Sequence, residues 1–155
     1  MLKSALLVAL VIVSTATLVW AADPVVGTWS LNLAKSKFNP GPAPKQETRI
    51  YEAQGEGTRV TVRTIAADGH STTVNVAANY DGKDYPVTGA SDHDAIALTK
   101  TNARGAEGKL THAGKVVATI TREISPDGQT MTITYKTADN QDRPINNRAV
   151  YDRQP

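Results

Sequence analysis

Polar and apolar residues alternate along most of this chain in short runs, and turn residues separate the runs. Gly27–Leu33 reads Gly-Thr-Trp-Ser-Leu-Asn-Leu, which puts Trp29, Leu31 and Leu33 on one face and Thr28, Ser30 and Asn32 on the other. A period of two predicts a half-buried strand. Further runs follow at Glu47–Gln54, Thr58–Ala66, Thr72–Tyr80, Lys83–Thr88, Ala95–Lys100, Ala106–His112, Lys115–Ile124, Thr130–Lys136 and Asn146–Arg153. Val, Thr and Ile dominate them, and β-branched side chains fit a pleated sheet. Asp68-Gly69, Asp81-Gly82 and Pro126-Asp127-Gly128 lie between runs, where glycine accepts the positive φ of tight hairpin turns. The segment Asn39–Pro44 carries three prolines, which cannot join a ladder, and reads as a stiff surface loop.

No helical pattern competes after residue 24. The turns recur about every 10–13 residues, the cadence of an all-β meander. The expected fold class is all-β: an up-and-down antiparallel β-barrel or β-clam of about ten strands, closed because closure removes exposed edges. A two-sheet sandwich is the alternative, but sandwiches need longer crossovers than these connections provide.

Met1–Ala21 reads as a secretory signal peptide, with Lys3 as its basic start, an apolar stretch from Ala5, and small residues around Ala21. Residues 22–155 are then one domain. The apolar run is short for a span of about 20 residues and lacks a basic stop-transfer flank, so no membrane span is expected after cleavage. The expected location is periplasmic or extracellular.

Composition narrows the function. Lys plus Arg number 17 against 15 Asp plus Glu, and loss of Lys3 lowers the formal charge from +2 to +1. That balance argues against a nucleic-acid partner. The chain has no cysteine, which removes disulfides, thiol catalysis and a lipid-modified cysteine anchor. His70, His93 and His112 stand far apart in turns, so no metal site is expected; Asp92-His93-Asp94 reads as a solvated turn. No nucleophile elbow, phosphate loop, zinc-helix or dinucleotide motif occurs. The expectation is a binding protein without cofactor, not an enzyme.

Gly27-Thr28-Trp29, at the start of the first strand after a signal, resembles the Gly-x-Trp opening of lipocalins and the Gly-Thr-Trp opening of fatty-acid-binding proteins, the calycin group. Arg148-Ala149-Val150-Tyr151 and Thr121-Arg122-Glu123-Ile124 with Asp127-Gly128 are similar to late strands of that group. Tyr80–Val87 resembles small exported bacterial lipocalin-like proteins of unassigned activity. The resemblance implies a lipocalin-like barrel that binds a small apolar or amphipathic molecule in its cavity. It also implies that Trp29 closes one barrel end against a cation of the last strand, with Arg148 or Arg153 as candidates and Arg148 in that barrel-end role. Two features depart from fatty-acid-binding proteins. The proline loop replaces their helical lid, and Arg148 and Tyr151, three apart, point to opposite faces of a regular strand.

Tyr80, Tyr85, Tyr135, Arg148 and Tyr151 are the candidate ligand-binding residues, since tyrosine pairs an apolar ring with a polar tip. Tyr80 and Tyr85 also flank Asp81-Gly82 and are expected to pair across it. The chain has one Phe and two Trp, one of them in the signal, so ten strands of Val, Thr and Ala are expected to leave interior space. Collapse of the two sheets is the competing outcome. The alternative functions are a protein-interaction module using the threonine-rich outer faces and, third, an enzyme built on the barrel.

Overall fold

Ten strands, each hydrogen-bonded to its neighbour in sequence and the last to the first, close into one antiparallel barrel in the computed structural model, which describes residues 22–155. The strands are β1 (Gly27–Leu31), β2 (Gln46–Gln54), β3 (Gly57–Ile65), β4 (Ser71–Asn79), β5 (Asp81–Thr88), β6 (Ala95–Lys100), β7 (Gly105–His112), β8 (Lys115–Ile124), β9 (Thr130–Ala138) and β10 (Pro144–Arg153). The only helix among the described residues is a 3-10 turn at Leu33–Lys35. The architecture is the expected up-and-down barrel, and the sandwich alternative is set aside. The proposed signal segment, Met1–Ala21, lies outside the described residues. Among the described residues no helix is long and apolar enough to cross a membrane.

Two local expectations need correction. The first strand ends at Leu31, not Leu33, because the Asn32 side chain accepts a hydrogen bond from the Lys35 amide and turns the chain into the 3-10 helix. Leu33 is therefore 45% exposed instead of facing the core. The chain then returns to β10 through paired hydrogen bonds between Lys37 and Arg148. The Tyr80–Tyr85 pair is the second. Asn75 pairs with Thr88 and Val76 with Val87, so the reversal from β4 to β5 is centred on Asp81-Gly82 as expected, and the same register sets Tyr85 level with Ala78 instead of Tyr80. Gly82 takes a φ of 75°, and the register of β5 to β6 shifts between Asp81 and Asp84.

One end of the barrel is plugged. Trp29 is fully buried, and its indole N–H donates to the Val25 carbonyl at 2.7 Å. Register places Arg153 directly across from Trp29 on β10. The Arg153 guanidinium lies 4.2 Å from the indole ring centre and donates to the carbonyls of Gly128, Val26 and Pro24. Five donors in a planar fork suit a side chain that must hold three carbonyls and stack on a ring at once. Tyr51, Ile124, Met131 and Tyr151 pack in the same buried cluster. A second cluster, with Ile96, Leu98 and Leu110, lines the opposite wall.

Candidate ligand-binding cavity

Strand periodicity decides which side chains enter the barrel. On β3 the inward phase is Thr58, Val60, Val62 and Thr64; on β8 it is Ala118, Ile120, Arg122 and Ile124. Valine, isoleucine, threonine and alanine fill seven of these eight positions. Gly108 belongs to the same phase, and a Cβ there would come within 2.9 Å of Leu98 and Ile120. The interior keeps a cavity of about 490 Å³ rather than collapsing. Pockets that hold small molecules span about 300–1,000 Å³. The cavity opens at the end opposite Trp29, where Phe38, Asp92, His93, Tyr135 and Asn147 line it.

Five of its lining residues carry the polar chemistry. Glu47, Arg49 and Tyr51 follow each other inward along β2, and Tyr151 faces them from β10. Glu47 accepts hydrogen bonds from Arg49 Nε at 2.7 Å, from the Tyr151 hydroxyl at 2.6 Å and from the Thr64 hydroxyl at 3.1 Å. Arg49 Nε also lies 3.1 Å from the Tyr151 hydroxyl. Burial by itself would raise the Glu47 carboxyl, but the Arg49 charge and these three donors outweigh it and hold the group below its ordinary value. Burial, reinforced by the Glu47 charge, pushes the Tyr151 hydroxyl far above the usual phenol range against the pull of Arg49. Glu47, Arg49, Tyr151 and Thr64 form one network in which the carboxylate and guanidinium charges are paired.

Arg122 stands apart from it. The residue is 6% exposed and makes one side-chain hydrogen bond, Nη2 to the Tyr80 hydroxyl at 2.8 Å. Its Nε is buried with no hydrogen-bond partner among the described residues. The rings of Tyr51 and Tyr80 flank the guanidinium at 5.3 and 5.6 Å. Burial works against its charge, yet the surrounding tyrosines and Asp23 raise its pKa, so it remains a cation. Asp23 itself is engaged by Lys100 at 2.7 Å. Among the described residues Arg122 has no carboxylate at ion-pair distance; burying an ion that way costs several kcal/mol, and an aromatic flank returns only about 0.5–2 kcal/mol.

The sequence candidates distribute unevenly around this cavity. Tyr135 and Tyr151 line it. Tyr80 sits behind Arg122, under the Lys100 ammonium at 4.5 Å. Tyr85 packs on the Ile96 cluster and sends its hydroxyl to Asp81 at 2.9 Å, away from the cavity. Arg148 is a correction in both of its expected roles. It lies outside the barrel, with Nη1 3.3 Å from the Lys35 carbonyl, because β10 turns Ala149, Tyr151 and Arg153 inward. The barrel-end cation is Arg153. Glu47, Arg49 and Arg122, which sequence reasoning did not single out as cavity residues, carry its charge.

At the mouth, His93 Nδ1 lies 2.8 Å from Asp92 Oδ1, and the Tyr135 hydroxyl is 3.4 Å from Asp92 Oδ2. The hydrogen bond from His93 holds the Asp92 carboxyl low. Among the described residues no group of three or more acids and histidines is placed to hold a metal ion. The chain matches no protein-family model, and no curated protein is similar enough to count as a relative.

Proposed function

We propose that this protein is an exported carrier that binds a small amphipathic molecule in its barrel cavity and performs no catalysis. The observation that carries the reading is the cavity itself: apolar walls of valine, leucine and isoleucine around one buried, incompletely bonded arginine. Apolar walls with a few placed polar groups are the general pattern of small-molecule sites. The Gly27-Thr28-Trp29 opening, stacked under Arg153, supports kinship with the calycin group, whose members bind such ligands. Export rests on the signal-like pattern of Met1–Ala21. The binding reading leaves the Glu47 network as support for the wall, since Glu47 and Arg49 pair each other's charge there.

Organic extraction of the purified protein followed by mass spectrometry tests the reading. An amphipathic molecule recovered in about one-to-one ratio with protein is the expected result. A protein that carries nothing and takes up no apolar probe would overturn it.

A further inference from the structure

Arg148 leaves the barrel interior but does not stand alone on the outside. It lines a second concavity, a groove of about 550 Å³ between β9, β10 and the return segment Lys37–Asn39. Strand register gathers the polar side chains there. Lys136 pairs with Asn146, Thr134 pairs with Arg148, and Lys37 forms an isolated bridge with Arg148. Directly opposed residues share one face of the sheet, with Cβ atoms about 4.5–5.5 Å apart. Three cations, Lys37, Lys136 and Arg148, therefore meet the Thr134 hydroxyl and the Asn146 amide group in one patch. The wall of the groove is fixed by hydrogen bonds. The Asn39 N–H donates to the Asn147 side chain at 3.0 Å, and the Asn146 N–H donates to the Asn39 carbonyl at 3.0 Å.

No carboxylate lines the groove. Among the described residues none of the three cations has an acid at ion-pair distance, whereas nearby Lys35 is answered by Asp152 and Arg143 by Asp139. Arg148 gives the Lys35 carbonyl one N–H, at 3.3 Å. We propose that this groove is a second binding site, on the outer face of the barrel, for the tetrahedral dianion of a phosphomonoester. Its donors come from three chain segments, so they approach a bound group from different sides. A phosphate group presents three oxygens to such an arrangement, and its second ionisation near about pH 6 leaves it doubly charged at neutral pH. Arg148 supplies a planar fork and the two lysines supply point charges. A carboxylate has two oxygens in one plane and one charge, so it satisfies only part of the set. The phosphate group belongs either to a soluble ester or to a lipid headgroup, which present the same chemistry. The proposal is independent of what the barrel cavity holds.

Proton–nitrogen correlation NMR of the purified protein, titrated with glycerol 3-phosphate at pH 7.5 and fixed ionic strength, tests it. The amide signals of Lys37, Thr134, Lys136, Asn146 and Arg148 should move saturably, and acetate should bind at least about tenfold more weakly. Lys136→Gln combined with Arg148→Gln should weaken glycerol 3-phosphate at least about tenfold. Lys109→Gln combined with Lys115→Gln removes as much charge from the adjoining β7–β8 hairpin and should change the affinity less than about twofold. All four residues are exposed, so both double variants keep the core intact. No saturable movement, or equal weakening by the two double variants, overturns the groove as a specific site. Acetate binding as tightly as glycerol 3-phosphate overturns the tetrahedral preference. Sedimentation with phosphatidylcholine vesicles containing phosphatidic acid separates the two sources. Retention that disappears in the Lys136→Gln, Arg148→Gln protein supports the headgroup, and no retention beside saturable glycerol 3-phosphate binding supports the soluble ester. Retention that this variant keeps overturns the headgroup as the source.

Discussion

Replacing Trp29 with alanine removes the largest fully buried side chain of the plugged barrel end. Three things are lost together: the packing of the indole, the 2.7 Å hydrogen bond to Val25, and the ring on which Arg153 stacks at 4.2 Å. Truncation of a buried tryptophan costs about 3–5 kcal/mol. The stranded guanidinium and the orphaned Val25 carbonyl place this site in the upper half of that range, about 4–5 kcal/mol. For a domain of this size each kcal/mol moves the melting temperature by about 4 °C, so the midpoint should fall by about 15 °C or more. Trp29→Phe keeps most of the ring and loses mainly the hydrogen bond, for about 1–2 kcal/mol. Far-UV circular dichroism must follow the melts, because Trp29 is the only tryptophan of residues 22–155. A Trp29→Ala midpoint within about 2 °C of the parent would refute the plug as a source of stability.

Arg49→Met should destabilise by about 3–5 kcal/mol in urea unfolding, because it leaves the Glu47 carboxylate buried and unpaired. Adding Glu47→Gln to it should recover part of that loss, and strictly additive penalties would contradict the pairing. The Glu47 carboxyl is depressed below its ordinary 4.5, so the stability it contributes is present above that pH and lost as pH falls through the lower folded value. A Glu47→Gln protein should therefore lose stability less steeply on acidification below about pH 5, and parallel profiles would count against the network. Gly89→Ala should lower the melting temperature, since φ is 85° there and a Cβ would press on the Thr73 carbonyl; an unchanged midpoint contradicts this. Amino-terminal sequencing of the protein recovered from the cell envelope or medium should read Ala22-Asp23-Pro24, and an intact Met1 would remove the export proposal.

The strand pattern was legible because period-two alternation and glycine turns act locally. The expected runs and the observed strands agree to within a few residues at most boundaries. Closure was legible from the short connections. Side-chain direction near the termini was harder. Arg148 and Arg153 both lie on the last strand, and only the pairing of β10 with β1 puts Arg153 across from Trp29. Leu33 followed the alternation in sequence, but the Asn32 cap ended the strand before it. Asp81-Gly82 carried the hairpin signature and the β4–β5 register is centred there, but the accompanying register shift toward β6 depends on long-range pairing and left no local signal.

The cavity charges were missed for a different reason. In β2 the inward phase is Glu47, Arg49 and Tyr51, while Ile50 points outward, so polarity alone suggests the wrong face. Arg122 did leave a signal. It falls in phase with Ala118, Ile120 and Ile124, whereas Thr119, Thr121 and Glu123 occupy the other phase. A charged residue in the apolar phase of a clean strand marks a buried polar site.

The central claim is that the barrel interior is a working binding chamber. Fluorescence titration with Nile red measures it most directly when the parent protein is compared with Val74→Trp, which fills the chamber from its wall near the mouth. The account predicts saturable binding of one dye per chain in the parent and its loss in the folded variant. No saturable binding in the parent, or equal binding in both proteins, would contradict it.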